Sequence, residues 1–198
     1  MSANKVKYGL KNVHYALVTE TVSTSGVTTS SYGAVKAWPG AVSLSMSSSA
    51  SKSVFRADDS DYFVTYGEGG YEGDLETALI PEDIKTSVLG FKLDDNGILV
   101  EDKDSFSGTT YIALLFEFDG DAYAKKHCLY KVSLSRPNIA SQTTGEGGAI
   151  DPQTETLTLT AVPRADADKY IHLETGDTTD ADVVAAWYTA VPTPTFTP

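Results

Sequence analysis

Tyr111-Ile112-Ala113-Leu114-Leu115-Phe116-Glu117-Phe118 is followed by Asp119-Gly120-Asp121, and then by Cys128-Leu129-Tyr130-Lys131-Val132-Ser133-Leu134. The first run is apolar at nearly every position, as in a strand covered on both faces. Asp tolerates left-handed backbone and Gly adopts it without a Cβ clash, so 119–121 is a turn. The second run alternates. Cys128, Tyr130, Val132 and Leu134 fall on one side, and Lys131, Ser133 and Ser135 on the other, the period of a strand with one buried face. Later, Leu157, Leu159 and Ala161 alternate with Thr156, Thr158 and Thr160. Pro163 cannot donate to a ladder and ends that run. Residues 109–164 therefore predict a hairpin and a returning strand at the centre of a mainly β domain.

Moving towards the N-terminus, Asn96-Gly97 between Phe91-Lys92-Leu93 and Ile98-Leu99-Val100 is a hairpin signal. Residues 81–90 carry helix punctuation: Pro81 opens, Glu82 and Asp83 suit the positive end of the dipole, and Gly90 closes. Ile84, Val88 and Leu89 form its apolar stripe. Residues 71–80 and 62–66 read as strands. Val42, Leu44 and Met46 alternate with Ser43, Ser45 and Ser47. With a turn at Ser48-Ser49-Ala50, residues 52–57 are expected to return beside them as a hairpin. The serine face is small and uncharged, as an ordinary solvated sheet or a water-filled bore would have. Residues 19–31 are nearly all small hydroxyl residues around Gly26, and read as a long, weakly anchored hairpin or loop projecting from the body. Val13 to Val18 is a strand, preceded by a basic arm, 1–12, with Lys5, Lys7 and Lys11. Towards the C-terminus, 170–173 is a short strand. A helix starts near Asp180, with Val183, Val184, Ala186, Trp187 and Val191 as its stripe, and 192–198 is an extended tail after Pro192.

The 198 residues form a single domain, 1–198, with 41% hydrophobic residues. No apolar run approaches the ~20 residues of a membrane span, and no apolar segment follows 1–5 as in a signal peptide. One cysteine excludes an internal disulfide framework and suits a reducing cytoplasm. A net charge of −12 excludes phosphate-led nucleic-acid binding. The three histidines share no ligand spacing. Asp58-Asp59-Ser60-Asp61 lacks the spaced ligands of a calcium hand, and Gly67-Glu68-Gly69-Gly70 lacks a nucleotide-loop pattern. No nucleophile elbow occurs. The sequence thus predicts no catalytic residue, no cofactor and no metal ligand. Two further classes remain: a sugar- or surface-binding β-sandwich, with Tyr62, Tyr66 and Tyr71 as a platform, and a hydrolase whose acid pair meets only in space.

The segments Gly70-Tyr71-Glu72-Gly73-Asp74-Leu75-Glu76 and Ala78-Leu79-Ile80-Pro81-Glu82 resemble the major tail proteins, the tail-tube subunits, of long-tailed non-contractile phages of Gram-positive bacteria. Residues 7–16, 39–45, 57–59, 154–164 and 175–180 match in the same order; the hydroxyl-rich loop and the proline-rich tail lie outside the match. The resemblance implies a tail-tube-type β-sandwich or barrel with a flanking α-helix, a long projecting loop (19–33) and extended termini. It also implies a structural virion protein, made in the host cytoplasm, whose hexameric rings stack into a tube. Its implied partners are further copies of itself, the tape-measure protein, the tail terminator and distal tail proteins, with DNA passing through unbound. On that reading Ser43, Ser45 and Ser47 are candidate bore-lining residues. Lys5, Lys7, Lys11, Thr24, Ser25, Gly26 and Val27 are candidate inter-ring contacts. An acidic bore would repel phosphates and favour passage.

Overall fold

The structure, a computed structural model, describes residues 6–105, 110–120, 124–141, 143 and 152–196. The deciding stretch forms what its pattern predicts. Strands β10 (Ile112–Phe118), β11 (Lys126–Leu134) and β12 (Glu155–Ala161) lie side by side and antiparallel. Outside them stand β1 (Leu10–Val22) and β2 (Thr28–Tyr32) on one flank, and β7 (Tyr71–Thr77) and β4 (Ala41–Ser48) on the other. The order is β2-β1-β10-β11-β12-β7-β4, with β3 (Lys36–Ala37) on β1 and β13 (His172–Glu174) on β11, while β8 (Lys92–Leu93) and β9 (Leu99–Val100) pair separately about Asn96-Gly97.

Twist makes a sheet of this width curl, and β4 comes back against β1 without pairing to it. The curl encloses the larger core. Leu75, Ile112, Leu114, Leu157 and Leu159 are fully buried there, with Trp38 and Tyr15. Helix α1 (Glu82–Ser87) plugs it with Ile84, and Val88 and Leu89 follow. The smaller core lies on the opposite face of β10 and β11. It holds Ala113, Leu115, Cys128 and Tyr130, covered by Trp187 and Val191 from α2 (Ala181–Ala186) and its continuation. The molecule is therefore mainly β, of β-sandwich type, with a helix on each side of the central strands.

Four expectations are corrected. First, β11 is buried on both faces along 127–132, because a core lies on each side of it, and its register against β10 shifts between the Ile112–Val132 and Leu114–Leu129 pairs. This bulge puts Val132 in the larger core, while Cys128 and Tyr130 lie in the smaller one. Second, β4 does not pair with residues 52–57. Its partner is β7, with Leu44 opposite Leu75 and Met46 opposite Gly73. The two backbones approach so closely that a Cβ on Gly73 would overlap the Ser45 carbonyl. Residues 52–57 (β5, Lys52–Ala57) instead pair with β6 (Ser60–Tyr66). Asp58 and Asp59, at φ 53 and 56, make the two-residue turn between them. Third, a register shift at Val42 leaves that residue half exposed, and Ala41 packs inward with Leu44 and Met46. Fourth, α2 buries none of its own six residues; Val183 is exposed, and only Trp187 and Val191 beyond it are buried.

One buried carboxylate joins the arm, the hairpin and the C-terminal segment. Glu117 Oε1 accepts from Asn12 Nδ2 at 2.5 Å, and Oε2 accepts from Lys126 Nζ at 2.8 Å and Tyr188 OH at 3.1 Å. Burial pushes its pKa up, but the Lys126 and Asn12 hydrogen bonds, the Lys126 charge and Tyr188 outweigh burial, so the carboxyl titrates below the ordinary glutamate value. A depressed folded-state pKa contributes stability above the unfolded pKa of about 4.3, and that stability is lost as pH falls through the lower folded value. Glu117→Gln is expected to cost about 2 kcal/mol at pH 7. The loss should shrink as pH falls below the unfolded value of about 4.3 and should disappear once pH is below the lower folded value, where the native carboxyl is protonated as well. Denaturant melts at pH 7 and pH 3 measure both; an equal loss at the two values would place its origin outside the charge.

Candidate functional site

The serines predicted to line a bore stand on a sheet face of regular composition. Ser43, Ser45 and Ser47 lie opposite Glu76, Asp74 and Glu72 on β7. Those acids lie opposite Thr156, Thr158 and Thr160 on β12. The result is three parallel rows of serine, carboxylate and threonine, and the third continues to Ser133. The hydroxyls donate to the acids: Ser43 Oγ to Glu76 at 2.9 Å, Thr154 Oγ1 to Glu76 at 2.5 Å, and Thr158 Oγ1 to Asp74 at 2.9 Å. The Thr154 and Ser43 bonds hold Glu76 below the ordinary glutamate pKa, so it is ionised at neutral pH. None of β4, β7 or β12 contains Lys or Arg. With hydroxyl protons turned onto carboxylates, the face presents oxygen acceptors and negative charge, a combination that repels phosphate. The serine alternation was legible in the sequence, but the acid column beside it depends on the β4–β7 pairing and was not.

The candidate inter-ring residues are divided. Thr24, Ser25, Gly26 and Val27 do sit together, at the tip of the β1–β2 hairpin. Ser23 N donates to Val27 O and Gly26 N to Ser23 O, both at 2.9 Å, with Gly26 at φ +78. Val22 and Val27 are exposed there. The hairpin's base, expected to be weakly anchored, is held firmly: Lys131, 8% exposed, donates to both oxygens of Glu20 at 2.7 and 2.8 Å and lies over the Tyr111 ring. Of the arm's expected lysines, Lys11 instead falls within β1 and pairs with Asp119 of its own chain at 2.5 Å, and Lys7 lies over Phe118. Lys5 lies outside the described residues.

A cluster of exposed apolar side chains, of which sequence reading singled out only Tyr62 and Tyr66, stands on one hairpin. The β5–β6 hairpin shows Phe55, Tyr62, Phe63 and Tyr66 at 60% exposure or more, with Val54 and Val64 partly exposed. Cross-strand register puts Phe55 beside Phe63 on one face and Val54 beside Val64 on the other. Both faces are thus apolar and both are in water. Of the three tyrosines considered as a sugar platform, Tyr62 and Tyr66 are on this hairpin. Tyr71 is half-buried at the start of β7, edge-on to His172.

The groups that carry chemistry are placed as follows. Cys128 is fully buried, and burial drives its thiol pKa far above the ordinary value, with Arg164 opposing only weakly. Such a thiol is unreactive. His14 stacks on Tyr188, its Nδ1 2.8 Å from Asn12 O. His127 and His172, 45 residues apart, are brought together by the β11–β13 pairing, with Nδ1 and Nε2 3.2 Å apart. Lys125 and Lys126, adjacent in sequence, are paired with Glu174 and Glu117.

No protein-family model matches the chain, and no curated protein sequence matches it significantly. Among solved structures, the chain is similar to a chain in the cryo-EM structure of the anti-feeding prophage (AFP) baseplate, 6-fold symmetrised. The two are 11% identical over 90% of this chain and 100% of that one, with a TM-score of 0.43.

Proposed function

We propose that this chain is a structural subunit of a phage tail, assembling with copies of itself into stacked hexameric rings whose bore conducts DNA. The observation that carries the reading is the β5–β6 hairpin. Two strands alone are marginally stable in water, and these expose apolar side chains on both faces. A hairpin of this kind gains its stabilisation by being covered, and a contiguous exposed apolar surface marks an interaction site. The segments that resemble tail-tube subunits point to further copies of the same chain as the cover. The open edges of β2 and β4 support the same reading, since pairing each with a neighbour would remove both from solvent. A head-to-tail contact of that kind closes as a ring. The serine–carboxylate–threonine face then suits the bore, where fixed negative charge lets DNA pass without adhering. Tape-measure, terminator and distal tail proteins are the further partners of such a tube, with assembly in the host cytoplasm.

Negative-stain electron microscopy and sedimentation velocity over a concentration series of the purified protein test this. Rings or hollow tubes, growing with concentration, are the expected result. A monomer that remains single at every concentration, and that also fails to lengthen on pre-formed tail tips, would refute the proposal.

A further inference from the structure

His127, His172 and Glu174 meet at one point although they come from distant parts of the chain. Strand β13 pairs antiparallel with β11, His127 opposite Glu174 and Leu129 opposite His172. Two backbone bonds hold this short strand in place, Tyr130 N to Ile171 O and Thr175 N to Lys126 O, both 3.0 Å. His172 and Glu174, two residues apart, therefore project on the same face as His127. One ligand atom from each lies within 4.8 Å of the other two.

The separations fit a small cation. His127 Nδ1 is 3.2 Å from His172 Nε2 and 3.6 Å from Glu174 Oε2. Two nitrogens bound tetrahedrally to zinc at their usual distances stand ~3.3 Å apart. His127 is pre-oriented: its ring stacks on Phe116 at 5.1 Å and meets Phe118 edge-on at 5.4 Å. The His172 ring lies at 15° to that of His127, with centroids 5.4 Å apart. At this N···N distance an N–H of one ring is hydrogen-bonded to the lone pair of the other. His172 also lines a cleft of ≈ 110 Å³ with Met46, Tyr71, Phe116 and Leu129, which gives its ring room to turn. Neutral imidazole is the form that binds metal.

We propose that His127 Nδ1, His172 Nε2 and Glu174 Oε2 form a binding site for a divalent first-row transition metal, of which zinc suits the donor set best. Two imidazoles and a carboxylate are ligands that zinc accepts, with the fourth position left to water. The proton between the two rings moves to the far nitrogen of the ring that carries it, and the ion takes its place. Both rings stay neutral, with their protons on His127 Nε2 and His172 Nδ1, and His172 turns until the two lone pairs converge on the ion. Glu174 leaves its 3.6 Å contact with Lys125 to complete the set. The bound ion would clamp β13 onto β11, and so fasten the C-terminal part of the chain to the central sheet.

The test is calorimetric titration of the full chain, free of any polyhistidine tag, with zinc chloride at pH 7.5, alongside thermal melts. The expected result is one equivalent bound and a rise in Tm, since an ion that binds only the folded state stabilises it. His172→Ala and Glu174→Gln, both at the more exposed strand, should keep the fold and weaken zinc binding about tenfold or more. His14→Ala, outside the cluster, should bind as the wild type does. No saturable uptake at about 0.1 mM zinc, a level at which even weak protein sites fill, would overturn the proposal. So would binding that His172→Ala leaves unchanged.

Discussion

Replacing Phe55 and Phe63 together with serine is expected to leave the monomer folded and to weaken self-association about a hundredfold or more. The two rings lie opposite one another on the β5–β6 hairpin and are 61% and 60% exposed. Exposed side chains outside the core change stability by only about 0.5 kcal/mol either way, so the melting temperature should barely move. In an assembly they are worth more. A phenylalanine offers roughly 200 Å², so the exposed part of each ring is about 120 Å², or about 3 kcal/mol at 25 cal/mol per Å². Association does not return area at full value, because ordering and desolvation take a share. Half of the combined figure, about 3 kcal/mol, still corresponds to roughly a hundredfold in an equilibrium constant. Sedimentation equilibrium of the wild type, the double variant and Ile139→Ser compares them directly. Ile139 is fully exposed and belongs to the segment after β11, not to the hairpin, and its substitution should be silent. Val54→Ser with Val64→Ser then reports on the opposite face. Loss of association from both pairs would mean that the hairpin is sandwiched between neighbours; loss from one alone would mean a single cover. Unchanged association in both would remove the hairpin from the interface.

The hairpin also shows where sequence reading reaches its end. Strands β10, β11 and β12 were legible because their patterns are decided locally, by the alternation of side chains about a turn. The partner of β4 was not. Ser48-Ser49-Ala50 is as good a turn as Asp58-Asp59, and nothing within residues 41–57 says which one closes a hairpin. The choice is made by β7, more than twenty residues on, where Gly73 admits the Ser45 backbone and Leu75 meets Leu44. Asp58-Asp59 was weighed as a metal loop because of its charge, whereas its use is backbone: both residues take positive φ at the hairpin turn. The bulge in β11 was equally hidden. An extra residue breaks the period-two rule, and a sequence that obeys the rule on either side does not mark where it fails. The acid column Glu72, Asp74 and Glu76 has even spacing in the sequence, but its position between serines and threonines depends on long-range pairing. The same holds for His127 and His172, which only the β11–β13 contact brings together.

Arg164→Ala is expected to be the most destabilising single substitution among the charged residues, at about 4 kcal/mol. Arg164 is 8% exposed and ends the segment after β12. Its guanidinium carbon lies 5.3 Å from the centroid of Tyr130, 5.6 Å from Tyr170 and 5.8 Å from Tyr32. These rings belong to β11, to the segment before β13 and to β2, so one cation joins three parts of the fold across the smaller core. Nη2 is paired with Asp166, itself almost buried. Among the described residues no hydrogen-bond acceptor reaches Nε or Nη1; the tyrosine rings surround the guanidinium there. Removing one member of a buried ion pair strands the other, at a cost of about 3–5 kcal/mol. Each cation–π contact adds about 0.5–1 kcal/mol or more when desolvated. For a chain of this length the change should appear as a fall in Tm of roughly 8–16 °C. Arg164→Lys keeps the charge but loses the planar group that lies against the rings, and should recover no more than half of the loss. The double variant Arg164→Met with Asp166→Ala removes both charges, and should be more stable than Arg164→Met alone, because no carboxylate is left buried without a partner. The comparison separates the pair from the rings. If the double variant is no better than the single one, Asp166 contributes little and the tyrosine cage carries the stability. If Arg164→Met alone melts with the wild type, neither does, and the smaller core is held by Trp187, Val191 and their apolar neighbours alone.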